Sequence, residues 1–142
     1  MVIGQKEKHN IFKMPVDWEN LFKVRLAQAD PSMDKHDIVK TLLVRKILFK
    51  NRSRKDWIRI YTEFELENGL RPDIYFEDSK TKEIIVYEIQ KQFTKTWIGD
   101  KAKQYSEFKK IYFKPVDLIV IPLKELSNDI EEMSKQLEEY IV

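Results

Sequence analysis

Residues 71–92 read RPDIYFEDSKTKEIIVYEIQKQ, and this stretch decides the fold because it predicts a β-hairpin. Residues 71–76 are interpreted as a short extended segment that follows Gly69, and residues 84–89 are rich in β-branched side chains, which favour strands. Residues 78–82 between them are polar and suit a turn. The rest of the chain is interpreted around this hairpin.

The register of the hairpin is predicted to bring two carboxylates together. If the turn consists of residues 79–82, Asp73 lies opposite Glu88, and opposite residues share one face about 5 Å apart. Gln90 lies on the same face as Glu88, because side chains alternate along a strand. Adjacent carboxylates raise each other's pKa unless a cation lies between them. The pattern therefore predicts a site for Mg²⁺, or for Mn²⁺, with the backbone carbonyl of Ile89 as a further oxygen ligand.

Pro72-Asp73, a gap of 14 residues and Glu88-Ile89-Gln90 together resemble the motif of the PD-(D/E)xK nuclease superfamily. The resemblance implies that Asp73 and Glu88 bind Mg²⁺. It also implies a catalytic role for Gln90, which stands where most members carry a lysine that assists the attacking water. Two downstream residues are candidates to supply the missing positive charge: Lys95 and Lys101.

Two further patterns resemble RecB-type nucleases. His36, in the first predicted helix, corresponds to a histidine beside the metal and is a candidate ligand, with Asp37 as the nearest acidic alternative. A surface or interface histidine is the simpler interpretation of His36. Lys101 and Tyr105 are one helical turn apart and resemble the Gln-x-x-x-Tyr element that follows the active-site hairpin, although Tyr105 equally suits a core position.

Three elements are predicted before the hairpin. Residues 15–26 suggest a short helix, and residues 35–50 carry a wide apolar stripe that predicts a four-turn helix, with Ser32 or Asp34 as its N-cap. Residues 57–67 alternate strictly, which predicts a half-buried strand with Ile58, Ile60, Thr62, Phe64 and Leu66 on one face. Either Glu63 or Glu65, depending on register, is a candidate third carboxylate for the site.

Three elements are predicted after the hairpin. Beyond a connector at residues 93–98, Gly99-Asp100 precedes a helix over residues 101–112 with Tyr105, Phe108 and Tyr112 as its buried stripe. Residues 116–121 are almost continuously apolar, which predicts a buried central strand that returns parallel to the Glu88 strand. A last helix is predicted to start at residues 126–128, and its core stripe consists of Ile130, Met133, Leu137 and Ile141.

The predicted order is helix, three antiparallel strands, helix, strand and helix. This order resembles the αβββαβ core of restriction-endonuclease-like folds, which is an α/β architecture with a mixed central sheet flanked by helices. Residues 1–31 are interpreted as an N-terminal extension and residues 32–142 as a PD-(D/E)xK nuclease-like domain.

The charge distribution favours a nucleic-acid partner. Residues 125–142 carry a net charge of −5 and the preceding 124 residues one of +7, as expected for a polyanion-binding body with a solvated acidic helix. The alternative is that the cations only decorate the surface. The candidate nucleic-acid contacts are Arg45, Lys50, Arg52, Arg54, Lys55, Lys91, Lys95 and Tyr105.

Composition restricts the class of protein. The chain of 142 residues has no cysteine, which excludes a disulfide framework, and cysteine-free sequences rich in Lys, Glu and Ile are also typical of thermophiles. No apolar run is long enough for a membrane span, so a soluble cytoplasmic protein is expected. A homodimer would supply two sites for duplex cleavage, but no sequence feature indicates one.

The leading hypothesis is therefore a Mg²⁺-dependent DNA nuclease, that is, a phosphodiester hydrolase. The first alternative is a nucleic-acid-binding module of the same fold without catalysis, and Gln90 is its main support. The second alternative is a small interaction protein that binds a partner through its acidic C-terminal helix.

Overall fold

The structure, a computed structural model, describes residues 22–23 and 34–142, the former by their backbone alone. Three helices flank a mixed sheet, which confirms the predicted α/β class. Short 3-10 turns follow the first helix, the last strand and the last helix. The elements in chain order are β1 (Phe22–Lys23), α1 (Asp34–Lys50), β2 (Ile58–Thr62), β3 (Ile74–Asp78), β4 (Glu83–Gln90), α2 (Lys95–Glu107), β5 (Asp117–Pro122) and α3 (Ile130–Leu137).

The sheet has the strand order β1-β2-β3-β4-β5. Strands β2, β3 and β4 form an antiparallel meander, whereas β5 pairs parallel to β4 after the crossover through α2. In the hairpin, Asp78 pairs with Glu83 and Ile74 with Tyr87. The turn therefore consists of residues 79–82, which confirms the predicted register.

Apolar side chains cover both faces of the sheet. On one face, α1 and α3 bury side chains such as Leu43 and Leu137 against Ile60 and Tyr87. On the other face, Tyr105 of α2 belongs to a smaller cluster that includes Tyr75, Ile84 and Val86. Each fully buried aliphatic side chain stabilises the fold by about 1.5–3 kcal/mol, so this double layer dominates the stability.

Strand β2 is shorter than the alternating pattern predicts. It ends at Thr62, because Glu63 adopts a left-handed backbone conformation with φ of 54°. This turn breaks the alternation, so Leu66 is buried in the cluster on the α2 face and Phe64 is partly exposed. The prediction that both share the face of Ile58 is therefore wrong.

Helix α2 begins and ends earlier than predicted. It starts at Lys95 because the side chain of Thr94 accepts a hydrogen bond of 3.1 Å from the backbone N–H of Trp97, so residues 95–98 are helical and not a connector. It ends at Glu107, and the turn that follows leaves Tyr112 with φ of 70° and a side chain 88% exposed. Tyr112 is therefore not part of a buried stripe.

Two predictions near the C-terminus also need correction. Strand β5 is parallel to β4 as predicted, but in the described part of the sheet it is an edge strand and not a central one. Helix α3 starts at Ile130, because Asp129 caps it by accepting a hydrogen bond of 3.1 Å from the N–H of Glu132. Ile130 is exposed in the first turn, whereas Met133 and Leu137 pack in the core as expected.

The N-terminal part of the chain differs from the predicted helix over residues 15–26. Phe22 and Lys23 form β1, which pairs parallel to Ile60 and Tyr61 of β2. The other residues of that prediction, and Ser32 as a possible N-cap, lie outside the described residues. Among the helices that the structure describes, none has the length and apolar character needed to cross a membrane.

We expect Asp78→Asn to destabilise the protein by about 1–3 kcal/mol at neutral pH. Asp78 is buried, forms an ion pair with Arg54 and accepts hydrogen bonds of 2.9 and 3.2 Å from the N–H groups of Lys80 and Thr81. Burial raises the pKa of Asp78, but these hydrogen bonds and the Arg54 charge outweigh it, so the pKa lies below the ordinary value of 3.8.

Because the folded-state pKa of Asp78 is depressed, its contribution is complete above pH ~4 and is lost as the pH falls through the folded-state pKa. Urea denaturation of wild type and Asp78→Asn should therefore give free energies of unfolding that converge in acid. The exposed Asp56 provides the control substitution, Asp56→Asn. An equal loss of unfolding free energy in both variants, or a loss that does not depend on pH, would contradict the stabilising role of the Asp78 carboxylate.

Candidate active site

The candidate site lies at the end of the hairpin away from its turn. The ladder of β3 and β4 closes with the pair Ile74 and Tyr87, so the next position sets Asp73 opposite Glu88, as the sequence predicts. Oδ2 of Asp73 also accepts a hydrogen bond of 2.6 Å from the backbone N–H of Ile89. The carboxylate of Asp73 is thereby attached to the end of β4.

Helix α1 contributes His36 to this site. The imidazole is buried, with Nε2 3.0 Å from Oδ1 of Asp73 and Nδ1 3.3 Å from Oδ1 of Asp37. Two carboxylate acceptors need two N–H donors, so this arrangement favours the imidazolium form. Burial lowers the pKa of His36, but the hydrogen bonds and charge of Asp73, together with Asp37, raise it above the ordinary value of 6.5. The simpler interpretation of His36 as a surface residue is therefore wrong.

One turn along the same face of α1, Lys40 is completely buried, with 0% exposure. Its Nζ donates a hydrogen bond of 3.1 Å to Oε1 of Glu63 and lies 3.9 Å from Oδ1 of Asp37. Of the two open alternatives for a third carboxylate, Glu63 is therefore the one tied to the site, whereas Glu65 is exposed and lies 3.6 Å from Arg71. Glu63 thus combines a left-handed backbone conformation with an ion pair to the buried Lys40.

The carboxylate of Glu88 is buried on the α2 side of the hairpin. Its Oε1 accepts a hydrogen bond from the hydroxyl of Tyr105, and its Oε2 accepts one of 3.3 Å from Nε2 of Gln90. Burial raises the pKa of Glu88 and the charge of Asp73 adds to this, whereas Tyr105, Lys101 and Gln90 oppose it. The pKa of Glu88 is raised on balance, chiefly because burial disfavours the charged form, and the nearby charge of Asp73 contributes in the same direction.

Five of the predicted residues therefore meet at one place: His36, Asp73, Glu88, Gln90 and Tyr105. The charge of Lys101 also acts on Glu88. Tyr105 is fully buried, so its hydroxyl acts on Glu88 from within the core. Lys91 and Lys95 are exposed just beyond the end of β4.

The basic run, by which we mean the cationic residues between positions 45 and 55, lies elsewhere. Arg45, Lys50 and Arg52 line one groove towards the C-terminal end of α1. At 1.5 Å per residue, Arg45 lies about 14 Å and Lys50 about 21 Å from His36 along the helix. Arg54 pairs with Asp78 at the turn end of the hairpin, about 16 Å along β3 from Asp73, and Lys55 is exposed nearby. The fold thus separates these cations from the two carboxylates.

Among residues 22–23 and 34–142, no group of three or more His, Cys, Asp or Glu is arranged as a metal site. The pair of Asp73 and Glu88 nevertheless fits Mg²⁺, which usually binds through one or two carboxylates and retains several waters. The carbonyl of Ile89 extends the donor set, because the N–H and C=O of one strand residue face the same side and this N–H faces Asp73. A cation here would offset the repulsion between Asp73 and Glu88, which adds to the effect of burial on the pKa of Glu88.

Sequence reasoning left Lys40 without a role. Its only signal was the spacing His36-x-x-x-Lys40, which puts both side chains on one helix face. The burial of the Lys40 ammonium group depends on how α1 packs across the end of β2, and so does its pairing with Glu63.

Comparisons of this chain with models of known protein families, with curated proteins and with solved structures found no significant match.

We expect NMR titration of the imidazole to give His36 a pKa above 6.5 in the wild type and a lower one in Asp73→Asn. The substitution removes the carboxylate that favours the charged form. Because the folded-state pKa is raised, His36 stabilises the fold at pH values below 6.5, and this contribution is lost as the pH rises through the folded-state pKa. Asp100→Asn, at an exposed position in α2, is the control. An unchanged pKa in Asp73→Asn would refute the proposed pairing.

We expect Glu63→Ala to destabilise the fold more than Lys40→Met. Glu63→Ala deprives a fully buried ammonium of its nearest counter-charge, which costs about 3–5 kcal/mol. Lys40→Met leaves a carboxylate that is 30% exposed and accessible to water, so the expected cost is about 1–2 kcal/mol. Chemical denaturation of both variants and of the double variant measures the difference. A larger loss of stability in Lys40→Met than in Glu63→Ala would exclude a buried charge at Lys40.

Proposed function

We propose that this chain is a metal-dependent DNA nuclease of the PD-(D/E)xK type. The observation that carries the proposal is the juxtaposition of Asp73 and Glu88 at the open end of the hairpin, with the charge of Asp73 contributing to the raised pKa of Glu88. A buried carboxylate such as Glu88, whose environment shifts its pKa, is typical of a functional site.

The order of the elements supports the same proposal. A helix, an antiparallel meander, a crossover helix, a parallel strand and a helix follow one another, which is the order of the restriction-endonuclease-like αβββαβ core. In that fold the motif lies on the second and third core strands, and here Asp73 and Glu88 lie at adjacent ends of β3 and β4. Topology and motif are independent features of the chain, and both support one assignment.

Bound at this pair, Mg²⁺ or Mn²⁺ would activate water and stabilise the charge of an in-line displacement at phosphorus. The residues of the chain prepare the ligands. His36 and the N–H of Ile89 hold Asp73 by one oxygen each, and Tyr105 orients Glu88 from the core. Ligands whose orientation is set by such hydrogen bonds need less reorganisation when charge develops.

Gln90 and Lys101 divide the task that one lysine performs in most members of the superfamily. Nε2 of Gln90 donates to Glu88, which leaves the amide oxygen of Gln90 as an acceptor for a water proton. Gln90 has no charge, so positive charge for the scissile phosphate comes from Lys101, whose charge already lowers the pKa of Glu88. Lys95, exposed at the start of α2, is a further source.

A second candidate is a nucleic-acid-binding module of this fold that does not cleave. The observation in its favour is that both oxygens of Asp73 and both oxygens of Glu88 already accept hydrogen bonds within the protein. In a site of this kind, every carboxylate oxygen has a hydrogen-bond partner without a cation. In such a module, Asp73→Ala leaves nucleic-acid binding unchanged or improves it, because a negative charge is removed.

We expect the wild type to cleave labelled linear, branched or circular DNA with Mg²⁺ or Mn²⁺, and Asp73→Asn and Glu88→Gln to lose at least about a hundredfold in rate. Both substitutions keep side-chain size and remove one charged ligand. Gln90→Lys should raise the rate by about tenfold, because it returns a cation to the third motif position. Asp100→Asn is the control for the loss of an acidic group.

The result separates the two candidates. Metal-dependent cleavage that both charge-removing variants abolish establishes the site. Retained DNA binding with no cleavage by the wild type on any of the three substrates would overturn the nuclease and favour the binding module.

A further inference from the structure

A groove of about 600 Å³ lies at the C-terminal end of α1, remote from Asp73 and Glu88. We call it the basic groove. Four cationic side chains and one carboxylate line it together with two apolar residues. Its lining residues are Arg45, Lys46, Phe49, Lys50, Arg52, Glu138 and Ile141.

Most of the positive charge in the basic groove is not neutralised. Lys46 forms an ion pair with Glu138, whereas Lys50 and Arg52 donate only to backbone carbonyls, at 3.5 and 2.7 Å. Arg45 has no partner among the residues that the structure describes, and its side chain is exposed. A concave surface with several unpaired cations attracts anions and concentrates them.

The groove also carries an exposed aromatic ring. Phe49 is 69% exposed, and the guanidinium of Arg52 lies 4.2 Å from the centre of its ring. An aromatic ring beside cations is the combination that binds single-stranded nucleic acid, because bases stack on the ring and phosphates meet the charges. In a duplex the base faces are already stacked on one another, so Phe49 would have no partner there.

We propose that the basic groove binds a single-stranded segment of nucleic acid. Arg45, Lys46 and Lys50 contact consecutive phosphates, and one unpaired base stacks on Phe49. This inference deepens the proposed function and rests on it in one respect. The groove lies about 14–21 Å from His36 along α1, so the substrate of the nuclease is DNA with an unpaired strand at about that distance from the cut.

Glu138 sets the affinity of the groove. It is the only carboxylate among the lining residues, and its side chain is 64% exposed while it pairs with Lys46. A phosphate that binds at Lys46 competes with this carboxylate. Loss of the negative charge at Glu138 therefore strengthens binding.

The first test measures binding of a fluorescein-labelled 15-nucleotide oligothymidylate by anisotropy, in EDTA so that no cleavage occurs. We expect Arg45→Ala/Lys50→Ala to bind at least about tenfold more weakly, and the slope of log affinity against log salt to fall by about 1.4, for two phosphates at 0.7 each. The control is Lys109→Ala/Lys114→Ala, which removes two exposed lysines near the other face of the sheet. Equal losses in both double variants would overturn the site.

The second test examines the ring and the carboxylate. Phe49→Leu should weaken binding of the single strand about fivefold and leave binding of a 15-base-pair duplex unchanged, because leucine keeps the apolar contact and removes the stacking surface. Glu138→Gln should tighten binding, and Glu131→Gln, an exposed acid on α3, should not. Tighter binding of the duplex than of the strand, or displacement of the strand by polyglutamate at equal charge, would overturn the proposal.

Because binding is measured without metal, the two proposals fail separately. DNA cleavage with unaltered binding in the groove variants overturns only the basic groove. Groove-dependent binding without cleavage supports the basic groove and leaves the nuclease refuted.

Discussion

The register of the β3–β4 hairpin is the constraint on which the rest of the site depends. A four-residue turn pairs Asp78 with Glu83, and because side chains alternate along each strand, this single choice sets Asp73 opposite Glu88 at the far end. A slip of one residue would turn every side chain of one strand to the opposite face. The buried cap of the turn by Asp78, with Arg54 and two backbone amides, stabilises that register about 16 Å from the site it positions.

The site contains side chains from helices on both faces of the sheet. His36 reaches Asp73 from α1 on one face of the sheet, and Tyr105 reaches Glu88 from α2 on the other. Every oxygen of these carboxylates accepts a hydrogen bond, so the polar groups are held in place even though they are largely buried. The same network gives all four carboxylate oxygens a hydrogen-bond partner within the protein.

Local patterns predicted the elements well and their ends poorly. Alternation identified β2, but no local signal revealed that Glu63 adopts a left-handed conformation and ends the strand. The apolar run of β5 suggested a central strand because it is apolar on both sides, whereas its position at the edge of the described sheet depends on strand order. Gly99-Asp100 suggests that α2 starts at residue 101, whereas the helix starts at Lys95 because Thr94 is the residue that caps it.

The sequence by itself determined the hairpin and, given a turn of residues 79–82, the position of Asp73 opposite Glu88, because strand alternation is a local property of the chain. The structure established that this turn is the one adopted. Only the tertiary structure decided that His36 binds Asp73 and that Lys40 is buried against Glu63. It also decided that the basic run gathers at the far end of α1, away from the carboxylates. These contacts depend on how a helix packs across a sheet. The spacing of residues along the sequence carries no information about which residues of the helix and of the sheet come close together.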